Sequence, residues 1–247
     1  WISRYVYPFA RVSGLLMVMP LIGTRMVPQR MRIFLALTVS LVLTPLLPPM
    51  PKVDALSLAS MMIVAQQLLI GIAMGFVIEL VTQIYVIAGQ LIAMQTGLGI
   101  ATTVDPSQGA SVVVISQWFL FMVSMVFLAL DGHLIMFEIL ADSFHTLPVG
   151  FDGLEAADFG MIVEWSGWMF AAAVVISLPA LTSLLVVNLA FGVMTRAAPQ
   201  LNIFALGFPV TMILGLFIMW LNIGEMAQGF HVQMEAMFEF LKKLTRG

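Results

Sequence analysis

Residues 58–94 read LASMMIVAQQLLIGIAMGFVIELVTQIYVIAGQLIAM, and Glu79 is their only charged side chain. A helix that crosses the hydrocarbon core of a bilayer needs about 20 apolar residues, so this stretch exceeds one crossing. As a single helix it would measure roughly 55 Å at 1.5 Å per residue. It must therefore protrude, bend or fold into a hairpin. Gly71, Gly75 and Gly89 are the candidate points for bending or for close approach of another backbone.

The rest of the chain has the same apolar character. Of 247 residues, 61% are hydrophobic and 9% are charged, whereas a soluble domain is about 45–50% apolar and about 25% charged. Other charge-free windows cover residues 33–51, 80–104, 106–130, 165–195 and 197–224. Backbone groups in lipid must be hydrogen-bonded within their own segment, and the alternating pattern of a barrel strand is absent. The sequence predicts an all-α membrane protein.

Composition and motifs exclude several classes of function. The chain has no cysteine, a net charge of −3 and no basic patch of the kind that binds nucleic acid. Its three histidines have no metal-ligand spacing, and no nucleophile elbow or phosphate-binding loop occurs. Residues 97–102 look like a dinucleotide fingerprint but lack the final glycine. We expect no cofactor, no metal and no catalytic residue.

The positions of the basic residues do not fit a topology in which each apolar helix crosses the membrane once. Arg25, Arg30 and Arg32 predict a cytoplasmic loop, and Arg196 and the basic C-terminal end after residue 241 should also be cytoplasmic. A single crossing by residues 201–224 cannot leave both of the last two groups inside. Some apolar helices therefore form hairpins or pack inside a protein complex.

Two further patterns concern helix shape and surface. The prolines at positions 20, 179 and 209 lie inside apolar segments and should kink them. Near the end of the chain, a 4-3-4-3 spacing places an apolar stripe on one helix face. The stripe consists of Phe230, Met234, Met237, Leu241 and Leu244. It would rest on a membrane surface or, as we favour, pack on partner helices.

Charged residues inside apolar segments are the candidates for special roles. Arg11 would snorkel, pair with an acid in the assembly or line a pore. Glu79 would accept a structural hydrogen bond or relay protons. Asp131 would cap the following helix, with Gly132 giving the turn next to His133. Whether Arg11 pairs with Glu79 stays open at this stage.

A polar break separates two apolar segments at residues 97–111, which are rich in Gly, Thr, Pro and Ser. Non-helical backbone at membrane depth is tolerated only where it lines a cavity or is buried in protein. A pore loop or plug satisfies that rule. An ordinary loop in solvent lies outside the membrane and is equally compatible with it.

Several passages in one order carry a family resemblance. They read QQLLIGIAMGF at 66–76, GQLIAMQTGLG at 89–99, ATTVDP at 101–106, DGH at 131–133, SFHTLPVG at 143–150, NLAFG at 188–192, RAAPQLNIF at 196–204 and GFP at 207–209. The chain resembles the flagellar biosynthetic protein FliR family, the export-gate subunit shared with virulence type III secretion systems. The resemblance covers nearly the whole chain, and the Arg-Ala-Ala-Pro-Gln block is the most distinctive.

The resemblance implies a single all-helical export-gate domain over residues 1–247, with a FliP-like part towards the N-terminus and a FliQ-like part towards the C-terminus. It implies kinked helices and hairpins packed in a hetero-oligomer with FliP-like, FliQ-like and FlhB-like subunits. The assembly would lie in the bacterial inner membrane at the flagellar basal body, partly raised towards the periplasm, and would conduct unfolded polypeptides. The implied plug residues are Gly97, Gly99, Thr102, Thr103, Asp105 and Pro106, and possible buried-charge or partner contacts are Arg11, Glu79, Asp131, His133 and Arg196.

Two other functions remain as alternatives. In the first alternative, the chain is the equivalent subunit of a virulence injectisome instead of a flagellum. The sequence does not distinguish these two contexts. The chain would, less favourably, be a proton-coupled secondary transporter that uses Glu79, Asp131 or His133, although no internal repeat of the kind that transporters show is visible.

Overall fold

The structure is a computed structural model that describes residues 3–24, 27–51, 53–54, 57–100, 102–104, 111–151, 153–197 and 203–245. Its helices are α1 (Ser3–Val18), α2 (Gln29–Leu43), α3 (Leu58–Thr96), α4 (Val114–Ala129), α5 (Gly132–Thr146), α6 (Ala156–Ala197) and α7 (Ile203–Leu244). Two short strands, β1 (Thr102–Val104) and β2 (Ser111–Val113), form one antiparallel pair. The predicted all-α membrane fold is confirmed.

Four helical stretches among the described residues have the length and apolar character needed to cross a membrane. They are Gln29–Leu46, Leu58–Thr96, Ala156–Ala197 and Pro209–Leu244. The consecutive helices α4 and α5 qualify only as a pair, and they are bent by 67° relative to each other.

Helix α3 is the central element of the fold and runs without a break over 39 residues. Ser57 caps its start, where the hydroxyl accepts a hydrogen bond from the backbone N–H of Ser60 at 3.2 Å. The hairpin alternative for this segment is therefore wrong. At about 58 Å, α3 is longer than the hydrocarbon core is thick, and it packs against α1, α4, α6 and α7.

Close backbone approach joins α1 to α3, as the Gly71-x-x-x-Gly75 spacing predicted. A Cβ atom placed on Gly75 would lie 2.8 Å from the carbonyl oxygen of Leu15, and one placed on Gly71 would overlap the carbonyl oxygen of Arg11. From the α1 side, a Cβ on Gly14 would lie 2.5 Å from the carbonyl oxygen of Leu68. Only glycine permits this spacing between helix axes, so the prediction is confirmed.

The proline predictions have mixed outcomes. Helix α1 ends at Val18, so Pro20 follows the helix and the kink expected there is wrong. Pro20 and Leu21 lie in the turn that directly follows α1, and Leu21 takes a φ of 71° there. Pro179 and Pro209 do lie inside α6 and α7.

Helices α6 and α7 form an antiparallel hairpin. Trp165, near the start of α6, stacks on Phe240, near the end of α7, with ring centroids 4.5 Å apart. Farther along, a Cβ on Gly215 would lie 3.8 Å from the Leu184 side chain. Because α7 is continuous, Arg196 lies at the opposite end of this hairpin from Lys242 and Lys243, so these two basic groups cannot both be cytoplasmic if α7 crosses the membrane once.

The C-terminal apolar stripe faces the chain's own core. Phe230, Met234, Met237, Leu241 and Leu244 are each at most 3% exposed. Phe230 meets the ring of Tyr85 on α3 edge to face, with centroids 5.6 Å apart. Both predicted coverings, a partner or a membrane surface, are wrong, because α3 and α5 already cover the stripe.

Candidate functional site

A polar stripe runs along α3 inside an otherwise apolar segment. Glu79, Gln83 and Gln90 follow one another at spacings of four and seven residues, which places them on one helix face. They line a cleft of about 540 Å³ between α3, α4 and the chain that follows α1. From α4 the polar side chains of Ser116 and Gln117 line the same cleft.

Glu79 is half-buried in this cleft. Its Oε1 atom accepts a hydrogen bond from Nε2 of Gln83 at 2.6 Å, and its backbone carbonyl accepts one from the hydroxyl of Thr82 at 2.7 Å. The described residues that line the cleft include no lysine, arginine or histidine. The carboxyl group therefore has a neutral partner and no cationic one within the described part of the cleft.

Close packing of α3 on α4 buries Ser116 beside the cleft. A Cβ atom on Gly89 would lie 2.8 Å from the ring of Phe119 and 2.9 Å from the Cα atom of Ser116, so glycine sets the distance between the two helices. Ser116 is 1% exposed, and its hydroxyl oxygen has no hydrogen-bond partner among the described residues. Such an unsatisfied buried hydroxyl is uncommon in folded proteins.

The polar break at 97–111 begins with the end of α3. Gly97 takes a φ of 78°, the left-handed conformation typical of a glycine after a helix, and its N–H donates to the Met94 carbonyl at 3.4 Å. A 3₁₀ turn over Leu98–Ile100 follows and contains Gly99. The chain then enters the β1–β2 pair, in which Thr102 lies opposite Val113 and Thr103 opposite Val112.

This β-pair is a feature that the sequence interpretation missed. Thr102 is exposed, and Val112 lines the cleft beside the polar stripe of α3. Asp105 and Pro106 lie outside the described residues. The ends of the predicted plug segment are thus held in a short ladder between α3 and α4, next to Glu79's cleft.

Arg11 lies far from that cleft and is completely buried. Its Nε donates to Oε1 of Gln67 at 2.8 Å, and Nη1 donates to the carbonyl and hydroxyl oxygens of Ser143 at 2.8 and 3.0 Å. Nη2 donates to the carbonyl of Leu147 at 2.8 Å. The guanidinium carbon sits 4.1 Å from the ring centroid of Phe144, in cation–π contact.

These contacts give Arg11 a structural role at the end of α5. The carbonyls of Ser143 and Leu147 belong to the C-terminal end of α5, where backbone acceptors carry partial negative charge. The Ser143 carbonyl also accepts the N–H of Leu147 at 2.9 Å, so Arg11 supplies its second hydrogen bond. Arg11 thus caps α5 from a neighbouring helix and ties α1, α3 and α5 together. It does not pair with Glu79, and its side chain faces the interior of this chain rather than a pore.

The Asp131-Gly132-His133 motif forms the bend between α4 and α5. Asp131, rather than Gly132, takes the left-handed conformation, with a φ of 55°, and its side chain makes no capping hydrogen bond. Asp131 does occupy the predicted N-cap position of α5, but its side chain makes no capping bond, and the predicted glycine turn is wrong. Gly132 is instead required by packing, because a Cβ there would lie 2.6 Å from the Phe127 ring and 2.8 Å from Met234.

His133 and Arg196 remain without an assigned role. The Nδ1 atom of His133 is buried and has no hydrogen-bond partner in the part of the chain that the structure describes. Arg196 is exposed in the last turn of α6. A cation is favourable at that position because of the helix dipole. Within the described ranges, no three His, Asp or Glu side chains cluster as metal ligands would.

Sequence reasoning found Glu79 but missed the side chains around it. Gln83 and Gln90 had a visible signal, because polar residues at spacings of four and seven mark one face of an apolar helix. Ser116 and Gln117 had none, since serine and glutamine occur throughout the apolar segments. Gln67 and Ser143, the partners of Arg11, had none either.

Comparisons with known proteins agree with this architecture. Residues 2–237 match the family model described as "Bacterial export proteins, family 1". The chain is 35% identical over 221 residues to the flagellar biosynthetic protein FliR of Pectobacterium carotovorum subsp. carotovorum, covering 90% of this chain and 84% of that relative. It is also 35% identical over 219 residues to FliR of Escherichia coli (strain K12), covering 89% and 84%. FliR of Bacillus subtilis (strain 168) is 29% identical over 211 residues, covering 83% and 80%. With its buried α3 and long apolar hairpin, this chain belongs to the bacterial export family of flagellar biosynthetic proteins of the FliR type.

Proposed function

We propose that this chain is a structural, channel-forming subunit of the flagellar type III protein export gate, which helps to build and close a conduit for unfolded flagellar proteins. Its family membership makes it a component of the flagellar export apparatus. The observation that carries the proposal is the length of exposed apolar surface on α6, which exceeds what one bilayer covers. The subunit would form the conduit and catalyse no reaction.

The charge-free part of α6 is longer than the hydrocarbon core of a bilayer is thick. Residues 165–195 carry no charge, and as helix they span about 46 Å at 1.5 Å per residue. A hydrocarbon core of about 30 Å would cover that length only at a tilt near 50°, beyond the usual range of about 0–40°. Apolar side chains are exposed towards both ends, with Val163 at 71% and Val193 at 63%. Other apolar protein surfaces must therefore cover part of the helix.

We assign that covering to the other subunits of the gate. FliP-like and FliQ-like subunits would pack on the exposed faces of α6 and α7, and an FlhB-like subunit would attach to the assembly. The α6–α7 hairpin would correspond to the FliQ-like part of the chain and the preceding helices to the FliP-like part. The assembly would lie in the inner membrane at the flagellar base, with its long helices partly raised towards the periplasm.

Closure of the conduit is assigned to residues 97–111. The left-handed Gly97 and the β1–β2 pair support this role, because they anchor both ends of a short polar segment between two apolar helices. Such a segment closes a narrow path and is displaced when an unfolded chain arrives. A sealed resting state is required because an open conduit would dissipate ion gradients.

Co-purification tests the assembly. The chain, carrying an affinity tag, is expressed alone and together with FliP-like, FliQ-like and FlhB-like subunits, and the detergent extracts are studied by native mass spectrometry. We expect a hetero-oligomer from the co-expression and aggregates from the chain alone. A stable, monodisperse monomer of the chain alone would contradict the proposal.

Deletion of residues 102–108 tests the gate. We expect the deletion to make the closed gate leaky, measured as ion or small-molecule entry into cells that express the complete gate. A control replaces the same seven residues by a Gly/Ser linker of equal length, which separates the loss of the sealing sequence from shortening of the segment. Unchanged leakage in the deletion variant, with the assembly intact by co-purification, would remove the plug assignment.

A further inference from the structure

Polar and apolar side chains together line the α3–α4 cleft. Glu79 and Gln83 supply polar groups from α3, whereas Val86, Leu120 and Phe121 supply apolar surface. A lipid chain would match the apolar surface but leave the carboxyl group without a cationic partner, which is costly in an apolar setting. The cleft therefore suits an occupant that has both an apolar stem and a charged head.

A second observation concerns the partners of Glu79. Among the described residues, its carboxyl group accepts hydrogen bonds from the side chains of Gln83 and Thr82, and both partners are neutral. Ser116 adds no contact for an occupant, because the chain itself covers its hydroxyl oxygen. A cationic occupant would give the carboxylate the charged partner that the described lining of the cleft does not supply.

We propose that a lysine or arginine side chain of a neighbouring export subunit enters the α3–α4 cleft and pairs with Glu79. The methylene stem of such a side chain lies along the apolar lining, and its charged head donates to Glu79 Oε1 or Oε2. The inference rests on the proposed function, since it takes the occupant from the gate. It adds the contact chemistry that fixes the neighbour against α3.

One cation of this chain competes with that assignment. Arg25 follows Thr24, which lines the cleft, and Arg25 lies outside the described residues. A pair between Arg25 and Glu79 would be internal and would leave no place for a neighbour's side chain. The experiment therefore has to separate the two cations.

The first measurement is recovery of co-expressed FliP-like and FliQ-like subunits with the tagged chain. Glu79→Gln keeps the shape and the contact with Gln83 but removes the charge, and we expect recovery to fall about tenfold, because a partly buried cation left unpaired is costly. Glu79→Lys should abolish recovery. Glu138→Gln is the matched control, since Glu138 is an exposed acid on α5, away from the proposed subunit contacts of α6 and α7, and it should leave recovery unchanged.

The second measurement identifies the cation. In the Glu79→Lys background, each lysine and arginine of the co-expressed subunits is changed in turn to Glu, as is Arg25 of this chain. We expect one change in a neighbouring subunit to restore recovery and motility, whereas Arg25→Glu should not. Rescue by Arg25→Glu, or by none of the changes, would overturn the inference.

The outcomes also distinguish failure of the proposed function from failure of the proposed contact in the cleft. If the wild-type chain recovers no export subunit, the proposed function fails. If the wild-type chain and Glu79→Gln recover equal amounts, the assembly stands and the inference about the cleft fails. Immunoblots of the membrane fraction verify that each variant chain is present at the wild-type level.

Discussion

Helices α3 and α6 have almost the same length and apolar composition, yet they use their surfaces in opposite ways. Twenty of the 39 residues of α3 are buried within the chain, against seven of the 42 residues of α6. Beyond Leu184, none of the residues 185–197 is buried. Apolar composition alone therefore does not say what covers a helix, whereas glycine spacing and buried polar contacts do.

The largest expected difference in stability is between substitutions of two arginines, the buried Arg11 beside α3 and the exposed Arg196 on α6. Arg11→Met removes the donors to Gln67, Ser143 and Leu147. The Ser143 carbonyl keeps the N–H of Leu147, but the side-chain oxygen of Gln67 and the carbonyl of Leu147 lose their Arg11 donors. This loss should cost about 3 kcal/mol in the free energy of unfolding, which lowers Tm by about 6–12 °C in a chain of this size. Arg196→Met, on exposed α6, should leave Tm unchanged.

Fluorescence-detected size-exclusion chromatography after heating, on detergent extracts of cells that co-express the other subunits, measures these Tm values. An Arg11→Met chain as heat-resistant as wild type would show that the α5 cap is dispensable. A large drop for Arg196→Met would show that the exposed end of α6 is covered by contacts that involve this arginine.

The next effect comes from two leucines on opposite faces of α6. Leu184 is fully buried and Leu189 is 68% exposed. Leu184→Ala should lower the free energy of unfolding by about 2 kcal/mol, near the low end for a buried leucine because lipid and detergent also solvate apolar groups. Leu189→Asn should not change the stability of the extracted chain but should reduce recovery of the partner subunits.

Both recovery and Tm are measured on the same extracts. Equal recovery for Leu189→Asn and wild type would mean that lipid, rather than a subunit, covers this face of α6. A Leu189→Asn chain that loses heat resistance before partners are removed would show that α6 is packed more tightly than its exposure indicates.

The sequence predicted well those features that a local spacing determines. Gly71 and Gly75 lie on one helix face, and small residues at that spacing have one structural use, so the α1–α3 contact followed directly. The short strands could also have been predicted, because residues 102–104 and 111–113 are rich in β-branched Thr and Val, which favour extended backbone.

Features that depend on distant residues were not predictable. The partners of Arg11 lie 56, 132 and 136 positions away in the sequence, so no local pattern could identify them. The stripe that includes Phe230 and Leu241 was correctly located, yet its covering was assigned wrongly because amphipathic spacing gives the face and not its neighbour. At the α4–α5 bend Asp131 takes the left-handed conformation that was expected of Gly132. The reason for glycine at 132 is distant in sequence as well, because the Met234 side chain and the Phe127 ring leave no space there for a Cβ atom.

The smallest effects come from a pair of helical glycines, and they should have opposite signs. Gly71→Ala places a methyl group against the Arg11 carbonyl and should destabilise the chain by about 1–3 kcal/mol through overpacking. A Cβ on Gly192 in α6 meets nothing within 4 Å, so Gly192→Ala should stabilise the helix by about 0.5–1 kcal/mol.

The same heating assay on the co-expressed complex reads both signs. Gly192 lies in the exposed part of α6, so a neighbouring subunit that approaches it closely would make Gly192→Ala destabilising in the complex. That reversal of sign would locate a helix of the assembly against the Asn-Leu-Ala-Phe-Gly segment. A stabilising effect in the complex would instead leave Gly192 facing lipid, and α6 would then contact its neighbours through another face.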